Sequence, residues 1–423
     1  MIKIFKSSQT WLVCGLALWL LGVALMSKPV DVLSPLYPNH IRPVANASHI
    51  GYEIFGFAPH WTLDKLDNVD FNVLTTLAYF GVPVLADGNL DTSSRGYEVF
   101  KSNNATELFN KAHNHGTRIQ LTLIQMDAGT TEKFLSNKDA QSRTIDQAVN
   151  EVSARGIDGI NVDFEYFGSN GEKYRQDFTN FVANLTLALH QRVPGSKVSV
   201  ALYASATISP RIYDISSLSK TSDQIFMMAY DFAGTKADIV APTSPLYGAQ
   251  DGSYWYDIST AVDDFLTQMP CNKLVLGLPW YGYNYPVYSP GNNALTQKGY
   301  YVSSRVRTKR GYKIVRRFVS PPPSLATTYA QLQQIGFHGE GFTTGWDDKG
   351  QVGWVAYKQN GVWRMAYQED TRSLAIKYDF AKQKNLGGVG IWALGFEGDT
   401  NDFWALLREK FSAPVSADAS VIR

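Results

Sequence analysis

The chain has 423 residues, of which 44% are hydrophobic and 18% charged, with a net charge of +1. Such a length holds one large domain or two modest ones. A near-neutral balance offers nothing to a nucleic acid or an acidic polymer as partner.

In chain order, Lys3 and Lys6 precede an uncharged apolar run from Trp11 to Met26. Positive charge ahead of an apolar stretch is the export pattern. Residues 1–28 therefore read as a signal peptide or an N-terminal membrane anchor, with membrane association through residues 11–26. Either reading places the folded part outside the cytoplasm: secreted, periplasmic or anchored facing outward. Residues 29–50 contain Pro29, Pro35, Pro38 and Pro43 and read as a linker.

From residue 51, strand-like runs alternate with helical patterns. The candidate strands are 52–57, 73–79, 118–124, 159–165, 197–203, 224–230, 273–278 and 388–393. Between them, Ile145, Ala148, Val149 and Val152 fall on one helical face, with Gly156 as a C-cap. Phe178, Phe181, Val182, Leu185 and Leu189 do the same ahead of Pro194-Gly195, and 257–269 and 371–384 are further helices. Eight strands alternating with helices predict an α/β chain folded as a (β/α)8 TIM barrel over 51–413, with a tail at 414–423. The seventh and eighth strands are too far apart for one βα unit. The interval holds short alternating runs at 299–302, 312–318, 353–357 and 362–367, so a small α+β insertion is expected at 284–368.

One stretch carries chemistry. In Gly159–Glu165, Ile160, Val162 and Phe164 point to one side of a strand, while Asn161, Asp163 and Glu165 point to the other. Two carboxyls that close oppose joint ionisation, so one is expected to hold a proton near neutral pH, as a general acid must. The same alternation also suits the charged edge of a half-solvated strand.

The segment from Asp158-Gly159 through Asn161, Asp163 and Glu165 resembles the DGxDxDxE signature of glycoside hydrolase family 18, the chitinases and their relatives. Met228-Ala229-Tyr230-Asp231 resembles the family's MxYD. Gly277-Leu278-Pro279-Trp280-Tyr281-Gly282 resembles its GxPxYG. Gly388 to Leu394 resembles its last barrel strand with a floor tryptophan. The resemblance covers roughly residues 51 to 410 and implies a retaining, substrate-assisted glycosidase. Glu165 would protonate the glycosidic oxygen, and Asp163 would hold the substrate's acetamido N–H. Tyr230 would donate to the acetamido oxygen, which is the nucleophile. Asn161, Asp231, Trp392, Tyr281 and Met228 would complete the substrate site, with Trp392 as its floor. The implied partner is an N-acetylglucosamine-containing polysaccharide or oligosaccharide, with no cofactor and no metal, acted on by a monomer.

Two departures stand out. Asn161 replaces the family's usual Asp; it cannot ionise but can donate a hydrogen bond to Asp163. On the third strand, Ile124 and Gln125 replace the glycines of the family's SxGG, which narrows the expected cleft. Phe57, Trp61 and Tyr79 at early strand ends suit sugar stacking or core packing, and Trp346 and Trp354 suit a cleft wall or the insertion's own core. Cys271 reads as packing, and His113 and His115 as surface. Three functions compete: a chitin-type glycosidase, a peptidoglycan or N-glycan-core N-acetylglucosaminidase, and a non-catalytic carbohydrate-binding protein. Lectin-type members of the family typically lose the acid, which is intact here.

Overall fold

The computed structural model describes residues 51–336 and 340–412. The export segment, the linker, Cys14 and the tail from 414 lie outside the described residues. Among the described residues, no helix is long and apolar enough to cross a membrane.

Eight parallel strands close a barrel: β1 (Glu53–Pro59), β2 (Thr76–Pro83), β3 (Arg118–Gln125), β4 (Gly159–Phe164), β5 (Lys197–Tyr203), β6 (Gln224–Met228), β7 (Leu274–Pro279) and, as the fifteenth strand of the chain, β15 (Gly388–Trp392). β15 pairs with β7 on one side and β1 on the other, which seals the ring. All eight fall where alternating or β-branched runs predict them. The helices follow suit: Lys138–Arg155 ends at Gly156, whose φ of 72° is the left-handed C-cap that glycine adopts without a Cβ penalty.

Strand alternation divides the apolar residues into two clusters. Ile54, Leu77, Leu121, Ile160 and Val162 face outward and pack under the helices. Phe55, Phe57, Ala78, Phe226, Met228 and Val275 face inward and fill the barrel. Phe226 takes the central volume because two inward neighbours are glycines. A Cβ at Gly277 or Gly390 would fall 2.3 or 2.1 Å from its ring. The N-terminal end of the barrel is closed by buried Glu53, whose Oε2 accepts from Arg118 Nη2 at 2.6 Å and Gln224 Nε2 at 2.8 Å. Burial pushes this carboxyl up, but Arg118 and the hydrogen bonds outweigh it, and its pKa is lowered. A polar plug at this end leaves the opposite end for the site.

The insertion spans Tyr281 to Gln368, close to the expected 284–368. Its five-stranded sheet runs in the order β11 (Leu325–Thr328), β8 (Tyr281–Val287), β14 (Val362–Gln368), β13 (Val352–Gln359) and β12 (Glu340–Asp347). β8 begins at Tyr281, almost directly after β7, so one continuous extended segment leaves the barrel and founds the insertion. A separate hairpin pairs β9 (Tyr300–Thr308) with β10 (Gly311–Val319). β8, β11, β12 and the helix Tyr329–Gly336 are elements that the sequence pattern does not announce.

His113 differs from its surface reading. Its side chain is buried, and Nε2 lies 2.5 Å from Asp158 Oδ2. Asp158 also accepts from the Ile119 N–H at 2.8 Å, tying a helix end to the start of β4.

Candidate active site

The site lies at the C-terminal end of the barrel, where barrel sites form. Inward residues of β4 climb toward it. Asn161 is fully buried in the middle layer, where its Oδ1 accepts from Ser199 Oγ at 2.8 Å; Ser199 also donates to Gln120 Oε1 at 2.6 Å. The hydrogen bond expected from Asn161 to Asp163 is not formed. Asn161 Nδ2 and Asp163 Oδ1 both lack a partner among the described residues. Asn161 thus sits beneath the site and presents no surface to a ligand. Asp163 stands one step higher and is nearly buried. Burial and then the Glu165 charge push its carboxyl well above the usual range.

Glu165 stands just past the end of β4, held in line by its N–H donating to Gln125 O at 2.8 Å. Its Oε2 accepts from Tyr203 Oη at 2.8 Å. Burial raises its pKa; the Tyr203 hydrogen bond and Arg211 oppose this, and Asp231 adds to it. The net shift is upward. Both carboxyls are therefore biased toward the protonated form, where the sequence alone required only one.

Tyr230 and Asp231 follow β6, which ends at Met228 rather than at 230. Burial, and then the charges of Asp163, Asp231 and Glu165, keep the Tyr230 phenol protonated and so a hydrogen-bond donor. Asp231 adopts φ 59°, in the left-handed region. Its Oδ1 accepts from the Tyr281 hydroxyl and from Tyr283 Oη at 2.8 Å. These two tyrosines come from β8, so the insertion's first strand builds one wall of the site. Trp392 ends β15 with its ring 5.3 Å from Phe57 and 4.8 Å from Phe80, centroid to centroid, inclined at 62° to the first and near-perpendicular to the second. Phe57 is thereby a support beneath Trp392. Tyr79 is fully buried, with Oη donating to Gly96 O at 2.6 Å; both are core. Trp61 is half-exposed, edge-on to Phe80.

A cavity of about 300 Å³ opens here, lined by Glu165, Tyr203, Arg211, Met228, Tyr230, Asp231 and Trp255 among others. The structure thus brings Glu165, Met228, Tyr230 and Asp231 to one cavity, with Asp163 behind them. Arg211, Tyr203, Tyr283 and Trp255 belong to the site without having been singled out in the sequence. The Arg211 guanidinium lies over the rings of both Phe167 and Tyr203, at 4.4 and 4.5 Å from their centroids. A cation that touches two ring faces at once is fixed in place beside Glu165. Trp255 is 62% exposed and hangs from the long connection after β6, where no periodic pattern marks it.

The departures on β3 have compensations. Ile124 does point inward, but a Cβ on Gly81 of β2 would lie 2.7 Å from its Cγ2. The neighbouring glycine provides the space that Ile124 fills. Gln125 turns away and donates to Val84 O at 2.5 Å. In the insertion, Trp346 is covered by the Arg372 guanidinium at 3.6 Å, and Trp354 Nε1 donates to Asn292 Oδ1 at 2.6 Å. Among the described residues, no cluster of His, Cys, Asp and Glu has the makings of a metal site.

The family model "Glycosyl hydrolases family 18" matches residues 53–397. "Probable chitinase 10" of Drosophila melanogaster is 24% identical over 406 residues, 89% of this chain but only 16% of that protein. "Di-N-acetylchitobiase" of Rattus norvegicus is 23% identical over 382 residues, covering 87% of this chain and 90% of its own length. The crystal structure of a GH18 chitinase from Cycas revoluta in complex with (GlcNAc)3 superposes with a TM-score of 0.69 at 18% identity. It covers 85% of this chain and 99% of the plant chain, and shows a shared fold. The chain belongs to glycosyl hydrolases family 18.

Proposed function

We propose that the protein is an exported glycosidase that cleaves β-1,4 bonds next to N-acetylglucosamine, as in chitin or its oligosaccharides, with retention and with the substrate's acetamido group as nucleophile. The observation that carries this reading is the placement of Glu165. Its carboxyl lines the cavity, is biased toward the protonated form, and has Asp163 directly behind it on the same inward face. Glu165 gives its proton to the leaving glycosidic oxygen. Electron density on the acetamido oxygen then closes onto the anomeric carbon as the glycosidic bond breaks, forming an oxazolinium-like ring. The Asp163 oxygen left without a partner among the described residues accepts the acetamido N–H, and in its ionised form the carboxyl stabilises the developing positive charge. The Tyr230 hydroxyl orients the acetamido oxygen for attack. Water then opens the ring on the face the leaving group vacated, with Glu165 taking its proton back as base. Trp392 offers an apolar platform beneath the sugar, and Asp231 a carboxyl for its hydroxyls.

Glu165→Gln keeps the shape of the side chain and removes the proton. Turnover of chitooligosaccharides is expected to fall by at least about 10²-fold with binding largely kept. Near wild-type turnover in this variant would remove Glu165 from the role of acid. Proton NMR of the first product should show the β-anomer; an initial α-anomer would exclude retention. Parallel assays on peptidoglycan and on an N-glycan core separate the substrate classes. Binding without turnover on all three substrates would favour a carbohydrate-binding protein instead.

A further inference from the structure

The β9–β10 hairpin stands apart from the rest of the molecule. Every residue of β9 is exposed, as is every residue of β10 except Val319. The strands form their own two-stranded sheet. A ribbon that buries nothing contributes nothing to a core, and an isolated hairpin is marginal in water. Yet its composition is far from that of a solvated loop. Tyr300, Tyr301, Tyr312, Ile314 and Phe318 are each more than half exposed. Between Gly299 and Ser320 stand seven Lys or Arg and no Asp or Glu. The chain's net charge of +1 conceals this concentration, because the remaining residues sum to a negative charge.

The register distributes both chemistries over both faces. On one face Tyr301 lies opposite Phe318, Arg305 opposite Ile314, and Arg307 opposite Tyr312. On the other, Val302 lies opposite Arg317 and Val306 opposite Lys313. The Arg305 guanidinium sits 4.2 Å from the centre of the Tyr312 ring. Neither face is a plain polar exterior. A second copy of the ribbon would bring a second set of cations and be repelled. A nucleic acid or an acidic glycan would satisfy the cations and could stack on the aromatic rings, but would leave Val302, Val306, Val315 and Ile314 in water. An anionic bilayer surface satisfies both: Lys and Arg reach lipid phosphates, while Tyr, Phe, Val and Ile enter the boundary between headgroups and acyl chains. Strands of nine residues reach roughly 30 Å at ~3.3 Å per residue, long enough to lie along such a surface.

We propose that the β9–β10 ribbon is a docking element for an anionic lipid membrane surface. This rests on the ribbon alone and is independent of how the active site is read.

The test is vesicle flotation of the full chain, with phosphatidylcholine alone or mixed with phosphatidylglycerol. The apolar run at residues 11–26 acts on both kinds of vesicle, so the ribbon is read as the excess on the anionic ones. That excess is expected to be at least about tenfold at low salt and to collapse at high salt, since each cation near such a surface is worth roughly fivefold. The triple change Arg305→Glu, Arg316→Glu and Arg317→Glu should abolish it. A control with the same net charge, Lys65→Glu, Lys133→Glu and Lys220→Glu, should keep most of it. Circular dichroism of both variants checks that they fold alike. Tyr301→Trp supplies a reporter whose emission should move to the blue on anionic vesicles only. Equal partition onto both vesicles, equal loss in the control, an unmoved reporter, or a ribbon-dependent dimer would each overturn the proposal. So would retention on heparin or duplex DNA without binding to anionic vesicles.

Discussion

Single residues around Glu165 set its proton affinity in opposite directions, and each direction is measurable. The Tyr203 hydroxyl donates to the ionised carboxylate and favours it. Tyr203→Phe should therefore raise the pKa of Glu165 and move the alkaline limb of kcat/KM to higher pH. The Asp231 charge disfavours a second carboxylate, so Asp231→Asn should move the same limb to lower pH. Limbs that shift together, or not at all, would mean the alkaline limb does not report Glu165. Glu397 gives a stability counterpart. It is buried, its Oε1 accepts from Trp404 Nε1 at 3.1 Å, and desolvation outweighs its hydrogen bonds to lift its pKa to about 7. The folded protein holds this proton over a range where the unfolded chain, near the ordinary 4.5, has released it. Stability from this group is thus full below pH 4.5 and declines as pH rises to about 7, by up to about 3 kcal/mol. Glu397→Gln should stabilise the protein at pH 8 and do little at pH 4; chemical unfolding midpoints at the two pH values decide it. Of these residues, Asp163, Glu165, Tyr230 and Asp231 were legible in the sequence because they sit in spaced motifs on strand ends. Arg211 and Tyr203 were not, since their roles depend on stacking between residues distant in the chain. Nor was the layer that Asn161 shares with Ser199, because alternation gives the face of a side chain and not its depth.

At the scale of elements, the barrel strands were readable because alternation and outward apolar residues reinforce each other, as in Ile160-Asn161-Val162-Asp163. The insertion was harder. β9 and β10 bury no face, so no apolar period marks their full length, and β12 hides in the Gly- and Thr-rich Glu340–Asp347. β8 is hidden because the GxPxYG stretch reads as the close of a barrel unit, whereas its last residues, Tyr281 and Gly282, already pair with Thr328 and Thr327 of β11. The interior of the barrel makes the sharpest demand on an element. Gly390 on β15 and Gly277 on β7 leave room for the Phe226 ring, and neither position has a positive φ. Gly390→Ala is therefore a test of packing alone: a methyl group 2.1 Å from the ring must displace it. A loss of about 1–3 kcal/mol is expected, and pairing it with Phe226→Leu should recover part of that. Unchanged stability in Gly390→Ala would mean that the central layer is looser than this geometry.

Across the whole molecule, the insertion and the barrel are one mechanical unit. Tyr281 and Tyr283 hold Asp231 from the insertion side, while the connection after β6 brings Val240 into one apolar cluster with Tyr285 and Tyr367 of the insertion sheet. The chain then returns to the barrel through a junction that carries a buried ion pair. Glu369 follows β14 directly, and its Oε1 accepts from Lys377 Nζ on the helix Thr371–Gln383. Both side chains are essentially without solvent exposure, and Ser373 Oγ donates to Glu369 Oε2 at 2.7 Å. Burial pulls each toward its neutral form, raising Glu369 and lowering Lys377, with the partner opposing the shift in each case. A pair so placed contributes little net stability when intact, because two desolvation costs offset the attraction. Its removal by halves is another matter. Lys377→Met leaves a carboxyl buried without its cation, and a loss of about 3–5 kcal/mol is expected. Lys377→Met combined with Glu369→Leu removes both charges and should recover most of that loss. If the double variant were as unstable as the single one, the pair would be holding the return strand β15 in register by attraction, and the desolvation argument at this junction would fail.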